Sequence, residues 1–459
     1  METHFFPALN KKITLRSESF GGYLFDPRAY GSVDLGTVEF RIAGLCDGRR
    51  SVQDIISRIA AELHWPVPEA QETTWHGLRR FHSLSALEWL WEPLEKPRFD
   101  EVPALSERDQ AILGRALSAP LSVLWDITYA CNLACAHCLT GSGSPAPDEL
   151  NLAEKLAVLD QLRDMRVFSI TLCGGEPLVS PHLFEIIEKA VSRGMDVSLD
   201  TNGLWVTEEI VRKLAGAGVT TVQVSMDGRE ETHDRFRGRK GSFRAAVRAV
   251  ELFVQSGFRV TVAPVLTAVT HQDLEFLVQL AVAKGATGFK PSLFLPTGRG
   301  RENARELMLS PAQARADFQK LKKLQDTHQG KIRIAIDGSY PGLSEHENFP
   351  CGGESAAGAR VGCPAGVTQL VIAANGLITA CPFLYEMPAG HLREKPLAQI
   401  WREGRIFKVF RQMTKGQLKG QCRQCPRVPG ECSGGCRAAA YALTGEIYGQ
   451  DPLCWLNGR

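Results

Sequence analysis

The stretch Ser122-Val123-Leu124-Trp125-Asp126-Ile127-Thr128-Tyr129-Ala130-Cys131-Asn132-Leu133-Ala134-Cys135-Ala136-His137-Cys138 decides the fold class of this chain. Its first seven residues have the β-branched and aromatic content of a short buried strand. Three cysteines in CxxxCxxC spacing follow on the loop that would leave the strand's C-terminal end. Three thiolates on one short loop can ligate three corners of a [4Fe–4S] cubane and leave the fourth iron open. The spacing also suits zinc, with His137 or a distant residue as fourth ligand. Context favours the cluster, because barrel folds place their chemistry at the C-terminal ends of their strands.

Reading outward, strand-like runs at 122–128, 169–173, 196–200, 221–225, 260–266 and 289–295 alternate with amphipathic stretches at 152–165, 183–193, 208–217, 243–255 and 274–283. Such alternation predicts an α/β fold, a parallel sheet curved into a partial (β/α)6 TIM-like barrel over residues 120–310. A complete eightfold barrel needs more chain. A bridging region, 311–350, opens with a helical segment near Pro311. Residues 351–459 are dense in Cys, Gly and Pro and have few long periodic segments, so their fold is expected to depend on metal.

The chain has 459 residues, a formal net charge of +2, 44% apolar and 23% charged residues, which is globular and sized for two to four domains. So balanced a charge gives no support for wholesale nucleic-acid or anionic-membrane binding. Thirteen cysteines are too sparse for a small disulfide scaffold, and most are clustered. They are expected to hold metal in a reducing compartment, the cytoplasm. The start of the chain has neither a basic nor an apolar signal segment. The longest uncharged stretch, 361–385, is broken by Pro364, Gln369, Asn375 and glycines, which argues against a membrane span.

CxxxCxHC after the first barrel strand resembles the signature of the radical S-adenosylmethionine (SAM) superfamily. That resemblance implies that the open iron takes the amino and carboxylate groups of SAM and that an electron releases a 5′-deoxyadenosyl radical. Other strand ends agree with it. Gly174-Gly175-Glu176-Pro177 closes the second strand as the family's GGEP turn does, and Glu176 would offer a carboxylate to the methionyl ammonium. Thr201-Asn202-Gly203 and Ser225-Met226-Asp227-Gly228 close the third and fourth, where the family places ribose and carboxylate contacts. Arg237 resembles its carboxylate-binding arginine. Each turn alone is ordinary, and their coincidence at consecutive strand ends is not.

The remaining cluster, Cys351, Cys363, Cys381, Cys422, Cys425, Cys432, Cys436 and Cys454, is similar to the SPASM extension of radical SAM peptide-modifying enzymes. One spacer differs: six residues separate Cys425 from Cys432 where five is usual. The resemblance implies two fully ligated auxiliary clusters, one on Cys351, Cys363, Cys381 and Cys436 and one on Cys422, Cys425, Cys432 and Cys454, so three [4Fe–4S] clusters in all. The residue-level alternative is a pair of zinc ribbons. Cys46 and Cys173 read as buried packing residues.

Residues 1–95 carry short alternating runs around Gly21-Gly22 and near 32–35, then helical spacing at 38–45, 52–60 with Ser51 as N-cap, and 75–87. They predict a winged-helix-like module followed by a linker, 96–119. Ten basic against thirteen acidic residues, a net of −3, oppose nucleic-acid binding. The run 32–56 resembles the PqqD-like precursor-recognition element, which binds a leader peptide as an added strand. The strand near 32–35 and the helix near 75–84 would form its groove. Residues 120–459 most resemble the mycofactocin radical SAM maturases, through the Trp125–Leu139 region, Pro296-Thr297-Gly298-Arg299-Gly300 and Cys381-Pro382-Phe383. The resemblance implies an oxidoreductase acting on a precursor peptide by decarboxylation, crosslinking or backbone excision. It implies a flavodoxin- or ferredoxin-type electron donor and neither nucleic acid nor membrane as partner. Tetrapyrrole side-chain decarboxylation and a non-catalytic iron–sulfur regulator are the alternatives.

Overall fold

The computed structural model describes residues 5–27, 31–99, 116–336, 340 and 360–455. The chain divides into two compact units, Met1–Ser118 and Ala119–Arg459.

In the first unit, β2 (Thr14–Glu18), β3 (Gly21–Asp26) and β4 (Gly31–Gly36) form a three-stranded antiparallel sheet in that order, while β1 (Phe6–Leu9) pairs with β5 (Leu87–Leu90). Leu87, expected at the end of a helix, lies in a strand. Three helices, α1 (Thr37–Leu45), α2 (Val52–Leu63) and α3 (Val67–Ser83), complete the unit. Ser51 caps α2 in a full capping box with Asp54, worth about 0.5–2 kcal/mol. The spacing of Val52, Ile55, Ile56 and Ile59 puts all four on one face, and all four are fully buried in the unit's core with Cys46. Burial pushes the Cys46 thiol far up, so this cysteine is a packing residue. The segment expected as linker is pinned to the unit at its start: Arg98 donates through its backbone N to Asp47 O at 3.1 Å and through its side chain to Leu9 O and to Glu88.

The second unit is built on β6 (Ser122–Thr128), β7 (Ser169–Gly174), β8 (Asp196–Thr201), β9 (Thr221–Ser225), β10 (Arg259–Ala263), β11 (Val265–Leu266), β12 (Gly288–Phe289), β13 (Ser292–Leu293) and β14 (Arg333–Ile334). The intervening helices are α4 (Leu152–Asp164), α5 (Leu183–Ser192), α6 (Glu208–Gly216), α7 (Glu230–Arg237), α8 (Ser242–Gln255) and α9 (Leu274–Ala283), followed by α10 (Pro311–Thr327). The strand run expected at 260–266 is interrupted at Pro264, and that at 289–295 at Lys290-Pro291, because proline has no N–H for the ladder. Beyond the prolines the chain resumes as a separate parallel pair, β11 with β13.

The C-terminal region adds β15 (Gln369–Ile372), parallel to β6, and an antiparallel extension through β16 (Leu377–Thr379) and β17 (Gly390–His391). The result is one ten-stranded sheet, β14-β12-β10-β9-β8-β7-β6-β15-β16-β17, whose parallel part fits a partial barrel. Among the described residues no helix is long and apolar enough to cross a membrane.

The strands that build the site alternate strictly. Val123, Trp125, Ile170, Leu172, Val197, Leu199, Val222 and Val224 are all buried, on the face against which helices such as α5 and α8 pack. The opposite face carries Asp126, Thr171, Cys173, Ser198, Asp200, Thr221 and Gln223. A parallel sheet covered on both faces is apolar on both, so this alternation marks the second face as a cavity lining.

Candidate active site

The cysteine loop leaves the C-terminal end of β6 and is closed at its base by two backbone bonds, Cys131 N to Gly143 O at 2.8 Å and Gly143 N to Tyr129 O at 3.0 Å. The Pro296–Gly300 motif holds its outer side. Arg299 donates to the carbonyl oxygens of Cys135 (3.0 Å), Gly141 (3.2 Å) and Ser142 (2.6 Å). Gly298 lies so close that a Cβ there would sit 2.4 Å from Leu139 O. On the inner side, Ala136 N donates to Phe236 O at the end of α7.

A cavity of about 260 Å³ opens at the strand ends. Cys131, Cys135 and Cys138 line it, together with Gly174, Gly175, Thr201, Asn202, Ser225 and Arg237. These expected residues therefore meet in one place. Burial pushes the Cys131 and Cys135 thiols up, Cys135 to about 11, and the Arg237 charge opposes that shift. Arg237 Nη1 lies 4.0 Å from Cys135 Sγ. Three thiols in one wall and an unpartnered buried atom, His137 Nδ1, fit an iron–sulfur cluster with a polar ligand beside it. His137 itself lies flat on Phe236, with ring centroids 4.2 Å apart, and burial lowers its pKa to about 3, so it is neutral. Among the described residues no three His, Cys, Asp or Glu side chains gather closely enough to hold a single metal ion.

Glu176, Pro177 and Asp227 do not line the cavity. Glu176 is 1% exposed and both its oxygens are engaged: Oε1 accepts from Thr201 Oγ1 (2.8 Å) and Leu178 N (3.1 Å), and Oε2 from Asn202 N (2.7 Å). The carboxylate expected to face the methionyl ammonium thus ties the end of β7 to the end of β8. Burial pushes it up to about 7 against those bonds. Pro177 begins the short turn after it. The glycines ahead of it allow the approach: a Cβ on Gly174 would lie 2.3 Å from Thr128 O, and one on Gly175 2.2 Å from Ala130 O. Asp227 is fully buried and holds Arg237 through Nε and Nη2 at 2.7 and 2.6 Å, while its other oxygen accepts from Val265 N. Burial works against its charge, yet the Arg237 guanidinium leaves the carboxyl below the usual range.

Four further residues line the cavity below the strand ends: Asp126, Cys173, Asp200 and Gln223. They form one rung across the sheet, since the register pairs Asp126 with Cys173 and Asp200 with Gln223. Cys173, expected only to pack, donates Sγ–H to Asp126 Oδ1 at 3.2 Å, and Gln223 Nε2 donates to Asp200 Oδ2 at 3.0 Å. The signal was in the sequence as two carboxylates within strands that a parallel sheet would bury.

Of the later cysteines, Cys351 lies outside the described residues. Cys363 lies near enough to Cys436 for its charge to raise that thiol, and Cys432 acts likewise on Cys422, although burial is the larger cause in both. Cys425 N donates to Cys422 O, and Lys415 Nζ clamps the longer spacer through Cys425 O (2.8 Å) and Val428 O (2.7 Å). Cys436 caps the helix Arg437–Thr444, its own N–H donating to Asp451 Oδ2, and Cys454 N donates to Asp451 O. Arg437, 1% exposed, donates to the carbonyls of Gly434, Gly435, Ile447 and Gly449 and so ties the loops around these cysteines. Cys381 follows β16.

The model of the radical SAM superfamily matches residues 125–281, and that of SPASM, an iron–sulfur cluster-binding domain, matches 363–426. Together they imply SAM and [4Fe–4S] clusters. A mycofactocin maturase, MftC, of Mycolicibacterium smegmatis is 34% identical over 77% of this chain and 86% of its own length. An AdoMet-dependent heme synthase of Methanosarcina barkeri is 30% identical over 73% and 97%. In fold, the chain is similar to Streptococcus suis SuiB bound to precursor peptide SuiA, with a TM-score of 0.71, 18% identity, and 98% and 100% of the two chains covered. With relatives this similar over most of their length, the chain belongs to the radical SAM superfamily of enzymes, in the branch that carries a SPASM domain.

Proposed function

We propose that this enzyme modifies a ribosomally made precursor peptide by an oxidative radical reaction. The observation that carries the reading is the shared cavity: three cysteines in one wall, and hydrogen-bonding groups from three successive strand ends in the other. Cys131, Cys135 and Cys138 would hold the open cluster, which with SAM would supply the organic radical for hydrogen abstraction from a substrate carbon. Arg237, with Thr201, Asn202 and Ser225, would hold the polar groups of SAM. Glu176 would act as a positioning residue, fixing Thr201 and Asn202 through the bonds described above. The eight later cysteines, Cys351, Cys363, Cys381 and Cys436 in one set and Cys422, Cys425, Cys432 and Cys454 in the other, would hold two closed clusters that pass electrons to or from the site. The pairs Cys363/Cys436 and Cys422/Cys432 support that division.

Residues 1–95 would be a PqqD-like leader-binding module. In support, β4 is an edge strand, open to pairing with an added strand, and α3 lies beside it through Arg80, which donates to Asp34 O at 3.3 Å and pairs with Glu39. The fold match to SuiB bound to its precursor peptide spans 98% of the chain and so takes in most of residues 1–95, while by sequence the mycofactocin maturase and the heme synthase cover similar shares, 77% and 73%. That relative nevertheless keeps tetrapyrrole decarboxylation as a second reading.

The test is incubation of anaerobically reconstituted enzyme with SAM, reductant and either the peptide encoded beside its gene or a haem precursor. Mass spectrometry should show a changed peptide mass and an unchanged tetrapyrrole; the reverse outcome would transfer the assignment. About twelve irons per chain are expected from three cubanes. Cys135→Ala should lose 5′-deoxyadenosine formation.

A further inference from the structure

The rung below the strand ends contains a carboxylate that is not among the SAM contacts proposed above, and it is hydrogen-bonded to a residue of a second cavity. Asp126 is 3% exposed and lines the inner cavity. Its Oδ1 accepts from Cys173, and its Oδ2 accepts from the Tyr385 hydroxyl. Tyr385 in turn lines an outer cavity of about 480 Å³ with Tyr129, Arg301, Glu386 and Tyr441. Leu139, Thr140 and Phe383 line both cavities and form the wall between them. The Asp126–Tyr385 hydrogen bond is therefore a polar connection through an otherwise mostly apolar partition.

We propose that Asp126 is the proton acceptor of the oxidative reaction and that Tyr385 carries its proton to the outer cavity. The inference rests on the peptide-modifying reading above. After one hydrogen atom has left a substrate C–H bond, the carbon radical reaches a closed-shell product by losing one proton and one electron. The proton bonds to a free lone pair of Asp126, since each carboxylate oxygen has two and only one is used on each. The electron goes to a one-electron acceptor of the iron–sulfur class. Asp126 then returns to the carboxylate once the Tyr385 O–H has rotated away from it: the proton passes to the lone pair that Oη then presents, and Oη releases its own proton to solvent in the outer cavity. Cys173 is a positioning residue that keeps the carboxylate in place.

The electrostatics agree with this role. Burial pushes the Asp126 carboxyl up to about 6, against the Tyr385 and Cys173 hydrogen bonds. A base in that range is ionised at neutral pH and still holds a proton when it takes one. The other titratable groups around it are Asp200, itself raised to about 6 mainly by burial, and Tyr129, while Lys290 faces Asp200.

Two measurements on the full reconstituted chain decide the matter. The first needs no substrate: infrared pH titration of wild type minus Asp126→Asn, in which the bands of Asp200 and Glu176 are common to both, should leave one protonated-carboxyl component with a midpoint near 6, and that component should shift in Tyr385→Phe. A carboxylate that stays ionised down to pH 4 overturns the proposal. The second is the yield of modified peptide per 5′-deoxyadenosine. It should fall at least tenfold in Asp126→Asn, fall less in Tyr385→Phe, and recover in part in Asp126→Glu. A wild-type ratio in Asp126→Asn also overturns it, including the case where both products fall in parallel, which assigns a structural role. Wild-type enzyme that forms 5′-deoxyadenosine without changing the peptide sinks the peptide reading instead, and the titration alone then decides.

Discussion

At the scale of the residue, the site depends on a buried ion pair. Asp227 is 0% exposed and is charged because Arg237 sits against it. Removing one partner of such a pair strands the other charge, at a cost of about 3–5 kcal/mol, whereas removing both costs much less. Arg237→Ala is therefore expected to lower thermal stability and abolish SAM binding. Adding Asp227→Asn should restore most of the stability and none of the binding. Calorimetry beside a SAM-binding titration checks both; a double variant no more stable than Arg237→Ala would mean that the pair does not act as a unit. Glu176 teaches the same lesson differently. Its motif was legible, but the destination of its carboxylate was not, because hydrogen-bond partners on another strand end are a tertiary fact.

At the scale of the element, strand ends and loops approach so closely that only glycine fits. A Cβ on Gly175 would collide with Ala130 O, one residue before the first cysteine, whereas a Cβ on Gly143 meets nothing within 4 Å. Gly175→Ala should displace the loop and leave about four irons fewer per chain, with 5′-deoxyadenosine formation lost. Gly143→Ala should keep its iron, and iron analysis after identical reconstitution compares the two. The six strands of the barrel were readable because their apolar face repeats every second residue. Two were read too long, since Pro264 and Pro291 end hydrogen-bond ladders without ending the apolar run. The polar alternates of the same strands carried the second half of the site. They have no local signature of their own, because a period of two marks a strand without saying what its second face touches.

At the scale of the molecule, the chain is two compact units, each with its own core. If the first binds the leader, a chain reduced to residues 119–459 should keep its iron and its 5′-deoxyadenosine formation. Its yield of modified peptide should fall at least tenfold at low peptide concentration and approach the full-length value as the peptide is raised, because a lost docking site raises KM before kcat. A truncated enzyme with unchanged yield at low peptide would remove the recognition role. The ten-stranded sheet belongs to this scale too. Residues 369–391 belong by composition to the Cys-rich tail, yet they extend the barrel sheet from the β6 edge. Strand partners so distant in sequence leave no local pattern, and the short strands concerned have little periodicity of their own.

The sequence by itself determined the family, the barrel class and the three cysteines that share the cavity wall, because covalent spacing and side-chain periodicity are local properties. Only the tertiary structure decided which polar groups share a cavity. It moved Glu176 and Asp227 from the lining to its supports, and it raised Asp126 and Cys173 from strand residues to members of the site. Burial and long-range register set hydrogen-bond partners and charge, and neither is encoded in any one stretch of chain.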